Sequence, residues 1–182
     1  ARRLIEVSSP FPDVDTLQPF FTYILDLQQR GVIQGYPDGS FQQNNTINRA
    51  EVLKIILEAF KISLTESGDL PFSDVQATDW FFKYVKTAYD KGIIAGYPDG
   101  TFKPANAVNR VECLKMALNT AGVTLPTSGT LNFTDVQTAD WFYYYVVYAW
   151  QKQLIDAVSE TLFGSANEMK RGEMCRVVSG LL

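Results

Sequence analysis

The sequence predicts an all-α protein in which three helix–loop–helix repeats pack around one core. The chain of 182 residues repeats its pattern at a fixed spacing of 61 residues, without insertion or deletion. Each copy contains two segments with helical periodicity, and two helices in about 50 residues bury too little apolar surface to fold alone. We therefore expect residues 1–182 to form one compact domain. Its repeats are predicted at residues 11–62, 72–123 and 133–182.

The first helix of each repeat is amphipathic. In the second repeat the segment from Trp80 to Lys91 places its apolar residues on adjacent helical rows. Asp79 is predicted to cap the start of this helix, and Gly92 stands where a left-handed residue ends it. Gly31 has that place in the first repeat, and Gln153 has it in the third.

A short apolar segment and a tight turn follow this helix. The sequence Gly-Tyr-Pro-Asp-Gly at residues 96–100 combines Pro with Asp-Gly, which is typical of a tight turn. Phe102 is then expected to anchor the loop in the core. The first repeat has the same turn at residues 35–39, whereas the third has Ala-Val-Ser-Glu-Thr at residues 157–161.

The second helix of each repeat begins with a capping pattern. In the second repeat Asn109 is the predicted N-cap, and Glu112, three residues later, completes a capping box. Asn48 and Glu51 repeat this pattern in the first copy, while Lys170 replaces the asparagine in the third. Polar, turn-rich linkers join the repeats.

Composition excludes several classes of function. The net charge of −4 and the lack of a basic cluster argue against nucleic acid and anionic membranes as partners. With no apolar stretch of 18 residues, we expect no membrane span, and within this chain we expect no export signal. Cys113 and Cys175 are interpreted as small buried hydrophobic residues, although a disulfide stays open.

Catalysis has little support in the sequence. The absence of histidine removes Ser-His-Asp and Cys-His chemistry and histidine-ligated metals. Every candidate pair of carboxylates recurs in all three copies, which a catalytic pair does not need. We therefore predict a non-catalytic protein without cofactor or metal, and a binding site that is repeated.

Three arginines are candidates for that site. Arg49, Arg110 and Arg171 occupy the first helical position, where a cation costs about 0.3–1 kcal/mol against the helix dipole. Free backbone N–H groups beside each guanidinium would make a corner that selects a carboxylate or a phosphate. The alternative is a structural ion pair with a nearby glutamate or with the recurring aspartate.

Other recurring residues also allow two interpretations, a structural role or a role in ligand binding. Asp13, Asp74 and Asp135 either cap a turn or meet a ligand hydroxyl group. Trp80 and Trp141 either fill the core or stack on a sugar ring.

Together these motifs resemble the S-layer homology (SLH) domain, in the three tandem copies usual for that family. The resemblance covers residues 11–182, and it comprises Phe-x-Asp-Val, the tryptophan, Gly-Ile-Ile-x-Gly-Tyr-Pro-Asp-Gly-x-Phe and Asn-Arg-x-Glu before an apolar helix. It implies a pseudo-threefold, all-helical domain with a central three-helix bundle and three loop prongs. It also implies ligand sites in grooves between prongs, which bind a cell-wall polysaccharide with an acidic, commonly pyruvylated, terminal sugar.

The resemblance implies a secreted anchoring module at the cell surface, in the cell wall or surface layer, with neighbouring surface-layer subunits as a second class of partner. The alternative is a protein–protein assembly module of a surface layer that does not recognise sugar directly. The candidate carbohydrate-binding residues are Arg49, Arg110, Arg171, Trp80, Trp141, Asp13, Asp74, Asp135, Gly35 and Gly96.

The three grooves are expected to differ, because the motifs are incomplete in two copies. The third repeat lacks the Gly-Tyr-Pro-Asp-Gly turn, and Pro19 of the first repeat replaces the tryptophan. If a groove joins the arginine of one repeat to the aromatic position of the next, two grooves are competent and one is poor. The expected pairs are Arg49 with Trp80, Arg110 with Trp141, and Arg171 with Pro19.

Overall fold

The computed structural model describes residues 8–182, and its regular elements are all helices. The described residues form no strand, so the predicted all-α class is confirmed. Within this range no helix is both long and apolar enough to cross a membrane. The helices are α1 (Phe21–Gln29), α2 (Arg49–Ala59), α3 (Phe82–Asp90), α4 (Arg110–Thr120), α5 (Tyr143–Gln151) and α6 (Arg171–Ser179).

The first helix of a repeat begins later than its pattern predicts. Helix α3 starts at Phe82, two residues after Trp80, and the predicted cap by Asp79 is wrong. The Asp79 carboxylate instead accepts a hydrogen bond from the Gln76 N–H at 2.7 Å, which closes a turn before the helix. The predicted stop is confirmed, because Gly92 has φ +68°, and Gln153 adopts φ +55° at the same place in the third repeat.

The loop between the helices forms the predicted turn. The Tyr97 N–H donates to the Thr101 carbonyl at 2.8 Å, and the Gly100 N–H donates to the Tyr97 carbonyl at 3.0 Å. Phe102 is fully buried behind this turn, as expected. In the third repeat the Val158 N–H still donates to the Leu162 carbonyl at 2.9 Å, so the turn persists without Pro-Asp-Gly.

The capping prediction holds fully in α2 and half in α4. Asn48 accepts from the Glu51 N–H, and the Glu51 carboxylate accepts from the Asn48 N–H, which completes the capping box. Asn109 likewise accepts from the Glu112 N–H at 2.8 Å. The Glu112 carboxylate makes no return bond to the cap and faces a groove between repeats.

A closed cycle of backbone hydrogen bonds joins the repeats. The Ile47 N–H donates to Met169, the Val108 N–H to Ile47 and the Met169 N–H to Val108, at N···O distances of 3.0, 3.2 and 2.8 Å. These residues are 61 positions apart, and each is fully buried. Because each bond links a different pair of repeats, the cycle needs all three.

Helix contacts follow the same cyclic order. Helices α2, α4 and α6 contact one another and form the expected central bundle. Helix α3 packs against α2, α5 against α4 and α1 against α6, so each first helix lies on the second helix of the preceding repeat. The contact between α1 and α6 closes the chain into a ring, whereas an accurate pseudo-threefold axis stays a prediction.

The two cysteines are packing residues. Cys113 and Cys175 are fully buried and are not bonded to each other. Burial raises the pKa of Cys175 to about 12 and also raises that of Cys113 well above its ordinary value. Both thiols therefore stay protonated, as small hydrophobic side chains.

Candidate ligand-binding grooves

The backbone N–H groups beside the three arginines are already bonded, contrary to the sequence expectation. Each arginine donates its own N–H, at 2.8–3.0 Å, to an asparagine carbonyl in the loop of the next repeat around the ring. The pairs are Arg49 with Asn106, Arg110 with Asn167 and Arg171 with Asn45. The predicted anion corner therefore lacks these backbone donors, and any anion binding depends on side chains.

The guanidinium groups of Arg49 and Arg171 each lie against two aromatic rings of the next repeat, whereas that of Arg110 lies against one, Phe163. The Arg49 guanidinium lies 4.9 Å from the Tyr97 ring centroid and 4.8 Å from that of Phe102. Its Nε donates to the Phe102 carbonyl at 2.9 Å. Arg49 is only 8% exposed, so cation–π contacts and the carbonyl offset its loss of hydration.

Arg171 makes a tighter set of contacts with the first repeat. Its Nη1 donates to Glu51 Oε1 at 3.0 Å, and its guanidinium lies 4.5 Å from the Tyr36 ring centroid. The Tyr36 hydroxyl donates to the same carboxylate oxygen at 3.2 Å. Burial raises the pKa of Tyr36 despite nearby Arg171, so the phenol stays protonated as a donor. The structural ion-pair alternative therefore holds here, with a glutamate of another repeat.

A groove with a volume of about 230 Å³ lies beside Arg171, and we call it the Arg171 groove. The second repeat supplies Trp80, whose side chain is 55% exposed, and the first supplies Lys54 and Gly35. Trp80 packs edge-on against Phe81, with ring centroids 5.5 Å apart. Its exposed face therefore lies beside two cations and the Glu51 carboxylate. The lining residues are Val32, Ile33, Gln34, Gly35, Tyr36, Glu51, Lys54, Ile55, Trp80 and Arg171.

A second groove, the Arg49 groove, has the same design and a volume of about 210 Å³. Trp141 of the third repeat is 56% exposed, and Lys115 Nζ lies 5.2 Å from its ring centroid. Glu112 Oε2 is 3.9 Å from Arg49 Nη1, a looser contact than that between Glu51 and Arg171. The lining residues are Arg49, Ile93, Ile94, Ala95, Gly96, Tyr97, Glu112, Lys115, Met116 and Trp141.

The third position around the ring forms a different cleft, the Arg110 cleft. By the 61-residue register its tryptophan position is Pro19, and Val158 stands where the other grooves have tyrosine. The Arg110 guanidinium forms an ion pair with Glu173 and donates to the Asp156 carbonyl. The cleft is lined by Phe20, Asn44, Arg110, Val158, Asn167, Glu168, Lys170 and Glu173.

The predicted pairing of arginines with tryptophans is wrong. Each groove takes its arginine from one repeat, its tyrosine and glutamate from the next and its tryptophan from the one after, because each second helix projects its first residue into the following repeat. Two grooves with tryptophan remain, but the incomplete one belongs to Arg110 and not to Arg171. The observed pairs are Arg49 with Trp141 and Arg171 with Trp80.

The three aspartates hold loops in place. Both carboxylate oxygens of Asp13, Asp74 and Asp135 accept backbone N–H groups of the loop that follows the turn, at 2.7–2.8 Å. Although burial raises the pKa of Asp135, N–H donors from residues 163–165 outweigh it and lower that pKa. None of the three lines the Arg49 groove or the Arg171 groove, so the geometry favours the turn-capping reading.

The two candidate glycines line the grooves, but each is also required for packing. A Cβ on Gly35 would lie 2.7 Å from the Ser40 carbonyl oxygen. A Cβ on Gly96, which has φ +74°, would overlap the ring of Phe72. At a binding site each glycine would therefore contribute only the open space left by its missing side chain.

Sequence reasoning missed two groove residues, Lys54 and Lys115. Each lies three residues after the capping glutamate, Glu51 or Glu112, and therefore on the same helix face. That spacing, repeated after 61 residues, was a readable signal. Among the described residues, no group of histidine, cysteine, aspartate or glutamate side chains could hold a metal ion.

The fold and the grooves define a helical repeat protein with open grooves between its repeats. Residues 10–53 and 71–112 match the sequence profile of the S-layer homology domain. Two segments of the chain therefore match S-layer homology domains in tandem, the family that its motifs resemble, and the chain is similar to surface layer and cell wall proteins.

Similar proteins include a surface layer protein, an anchoring protein and an enzyme. The chain is 34% identical over 102 residues to the Surface layer protein of Brevibacillus choshinensis, which is 53% of this chain and 9% of that protein. It is 33% identical over 120 residues to the Cellulosome-anchoring protein of Acetivibrio thermocellus, 63% of this chain and 26% of that protein. It is 28% identical over 163 residues to the Amylopullulanase of Thermoanaerobacterium thermosulfurigenes, 86% of this chain and 8% of that protein. The chain thus spans a small part of each relative.

Proposed function

We propose that this chain is a non-catalytic anchoring module that binds an acidic cell-wall polysaccharide in the Arg171 groove and the Arg49 groove. One observation carries the proposal: each groove places an exposed tryptophan face beside two cations and one carboxylate. The local net charge of about +1 favours an anionic ligand, and the indole face favours the apolar face of a sugar ring.

The two kinds of contact suit different parts of a pyruvylated sugar. Stacking on Trp80 or Trp141 would hold the ring, and Lys54 or Lys115 would meet the ketal carboxylate from the open side. Arg171 and Arg49 lie deeper, each with Nε on a carbonyl and guanidinium N–H groups toward the groove wall. A charge-assisted hydrogen bond to a carboxylate is worth about 1.5–3 kcal/mol, so each groove can discriminate against the neutral sugar.

The relatives support an anchoring role. One is named a surface layer protein and another a cellulosome-anchoring protein. The match to an amylopullulanase covers 8% of that enzyme, which fits a module separate from a catalytic part. The third repeat, residues 133–182, is proposed as a further copy of the domain, because α5 and α6 keep the 61-residue register.

The test is sedimentation with purified wall sacculi, before and after mild acid removal of the ketal. The double variant Trp80→Ala/Trp141→Ala should lose at least tenfold in binding, because both exposed side chains can be removed without opening the core. Tyr144→Ala, which removes a half-exposed aromatic outside the grooves, is the matched control. Binding that survives the double variant and acid treatment would instead favour the alternative, a protein–protein assembly module of a surface layer.

A further inference from the structure

A pocket in the third repeat shares no lining residue with either tryptophan groove. Its volume is about 470 Å³, roughly twice that of either groove and within the ~300–1,000 Å³ range of small-molecule sites. We call it the Trp150 pocket. Its lining residues are Trp150, Gln151, Gln153, Ile155, Asp156 and Arg176.

Five of the six lining positions differ from the second repeat. The replacements give a larger aromatic ring, two amides, a carboxylate and a guanidinium on one side of a single repeat. In the order of the chain, Tyr89, Asp90, Gly92, Ala95 and Lys115 of the second repeat correspond to Trp150, Gln151, Gln153, Asp156 and Arg176. Ile155, Asp156 and Arg176 correspond to Ile94, Ala95 and Lys115 of the Arg49 groove, so the pocket lies at the equivalent position of the third repeat, beside the Arg110 cleft.

The Arg176 guanidinium is bonded within its own repeat and also lies 5.9 Å from the ring centroid of Tyr23 in the first repeat. Arg176 forms an ion pair with the Asp156 carboxylate and donates from Nε and Nη2 to the Gln153 carbonyl, at 3.2 and 2.9 Å. The Asp156 side chain is nevertheless 75% exposed, so one carboxylate edge can accept further hydrogen bonds. The pair carries no net charge, and an incoming anion would meet the carboxylate.

Gln153 supplies a second polar side chain at the pocket. Gln153 has φ +55°, a conformation that costs a non-glycine residue roughly 1–2 kcal/mol. A Cβ built on the corresponding glycines, Gly31 and Gly92, meets no atom within 4 Å. The Gln153 side chain is exposed and lines the pocket together with Trp150, so its amide can donate and accept hydrogen bonds there.

Trp150 supplies an aromatic face to these polar groups. Its ring packs edge-on against Phe133, with centroids 5.0 Å apart and an interplanar angle of 88°, and 42% of the residue is exposed. An exposed indole face flanked by a carboxylate and amides matches the apolar face and hydroxyl groups of a sugar ring. We infer that the Trp150 pocket binds a neutral saccharide, independently of the two grooves that are proposed for the acidic sugar.

Isothermal titration with cellotetraose and with N,N′,N″-triacetylchitotriose tests this inference. At least one of these neutral oligosaccharides should bind the whole chain, and Trp150→Ala and Asp156→Ala should each weaken that binding at least tenfold. Tyr89→Ala is the matched control, because Tyr89 packs edge-on against Phe72 in the same way but lines neither tryptophan groove. It should change affinity less than twofold, as should Trp80→Ala/Trp141→Ala.

Three results would overturn the inference. The first is no binding of either oligosaccharide by the wild-type chain. The second is unchanged binding by a Trp150→Ala variant whose thermal unfolding matches that of Tyr89→Ala. The third is loss of binding in Trp80→Ala/Trp141→Ala, which would assign the neutral sugar to the grooves. These outcomes can be interpreted even if the acidic-sugar proposal fails, because both oligosaccharide probes are uncharged.

Discussion

Arg171 in the last helix donates to Glu51 in the second helix at 3.0 Å, across 120 residues of sequence. This contact closes the ring of repeats and also builds the wall of the Arg171 groove. Stability and recognition therefore share side chains at this position. A ligand that contacts both the first and the third repeat would also hold the ring closed.

Glu51 and Glu112 are expected to differ in their contribution to stability. Glu51→Gln should lower the free energy of unfolding by about 2 kcal/mol, because its carboxylate serves the Asn48 cap, Tyr36 and Arg171 at once. Glu112→Gln should cost under about 0.5 kcal/mol, since its carboxylate lies 3.9 Å from Arg49 and is 38% exposed. Urea denaturation of both variants measures the difference, and equal costs would contradict this account.

Lys115 is expected to contribute long-range attraction for the acidic sugar. Lys115→Ala should weaken binding in the Arg49 groove by about 1 kcal/mol and reduce its salt dependence, because the exposed ammonium is screened by added ions. Lys152→Ala, which removes an exposed lysine outside the groove, is the control. Titrations at two salt concentrations decide the matter, and the same salt slope in both variants would count against the assigned role.

Lysine substitutions at Arg49 and at Arg110 distinguish the Arg49 groove from the Arg110 cleft by their effects on sugar affinity. Arg49→Lys keeps the charge but removes the planar fork, so binding in its groove should weaken about tenfold. Arg110→Lys should leave sugar affinity within about twofold, because the Arg110 cleft lacks tryptophan and Arg110 is paired with Glu173. A larger loss of affinity in Arg110→Lys than in Arg49→Lys would reverse the assignment.

Asp135 should make stability depend on acidity. Its pKa is lowered below the ordinary 3.8 in the folded chain, so its stabilisation is fully present above that value and is lost as the pH falls through the folded pKa. Asp135→Asn should cost about 2 kcal/mol at pH 6, because backbone N–H groups lose a charged acceptor. Thermal unfolding along an acid series should show this gap narrowing below pH 3.8. Asp69→Asn at an exposed position is the control, and a gap independent of pH would refute the mechanism.

Local features of the fold were predictable from sequence. The Asn48–Glu51 capping box, the Gly92 helix stop and the turn at 96–100 depend on neighbouring residues, and all three are present. The start of α3 was misplaced, because the Asp79 carboxylate closes a preceding turn and does not cap the helix.

The composition of the grooves was not predictable in the same way. A 61-residue spacing gives equivalent positions but not the direction in which repeats follow one another around the ring. That direction decides that Arg49 meets Trp141 and not Trp80, and it is set by packing among α2, α4 and α6. The same packing directs the Arg49 N–H to the Asn106 carbonyl. Sequence reasoning had expected this N–H group to be available to a ligand.

The number of acidic-sugar sites per chain tests the central claim most directly. Isothermal titration with a hexosamine glycoside that carries a pyruvate ketal should give two sites in the wild-type chain and one each in Trp80→Ala and Trp141→Ala. The same glycoside without the ketal should not bind these two sites. Three sites, or two sites that persist in either tryptophan variant, would contradict the assignment of the Arg171 and Arg49 grooves.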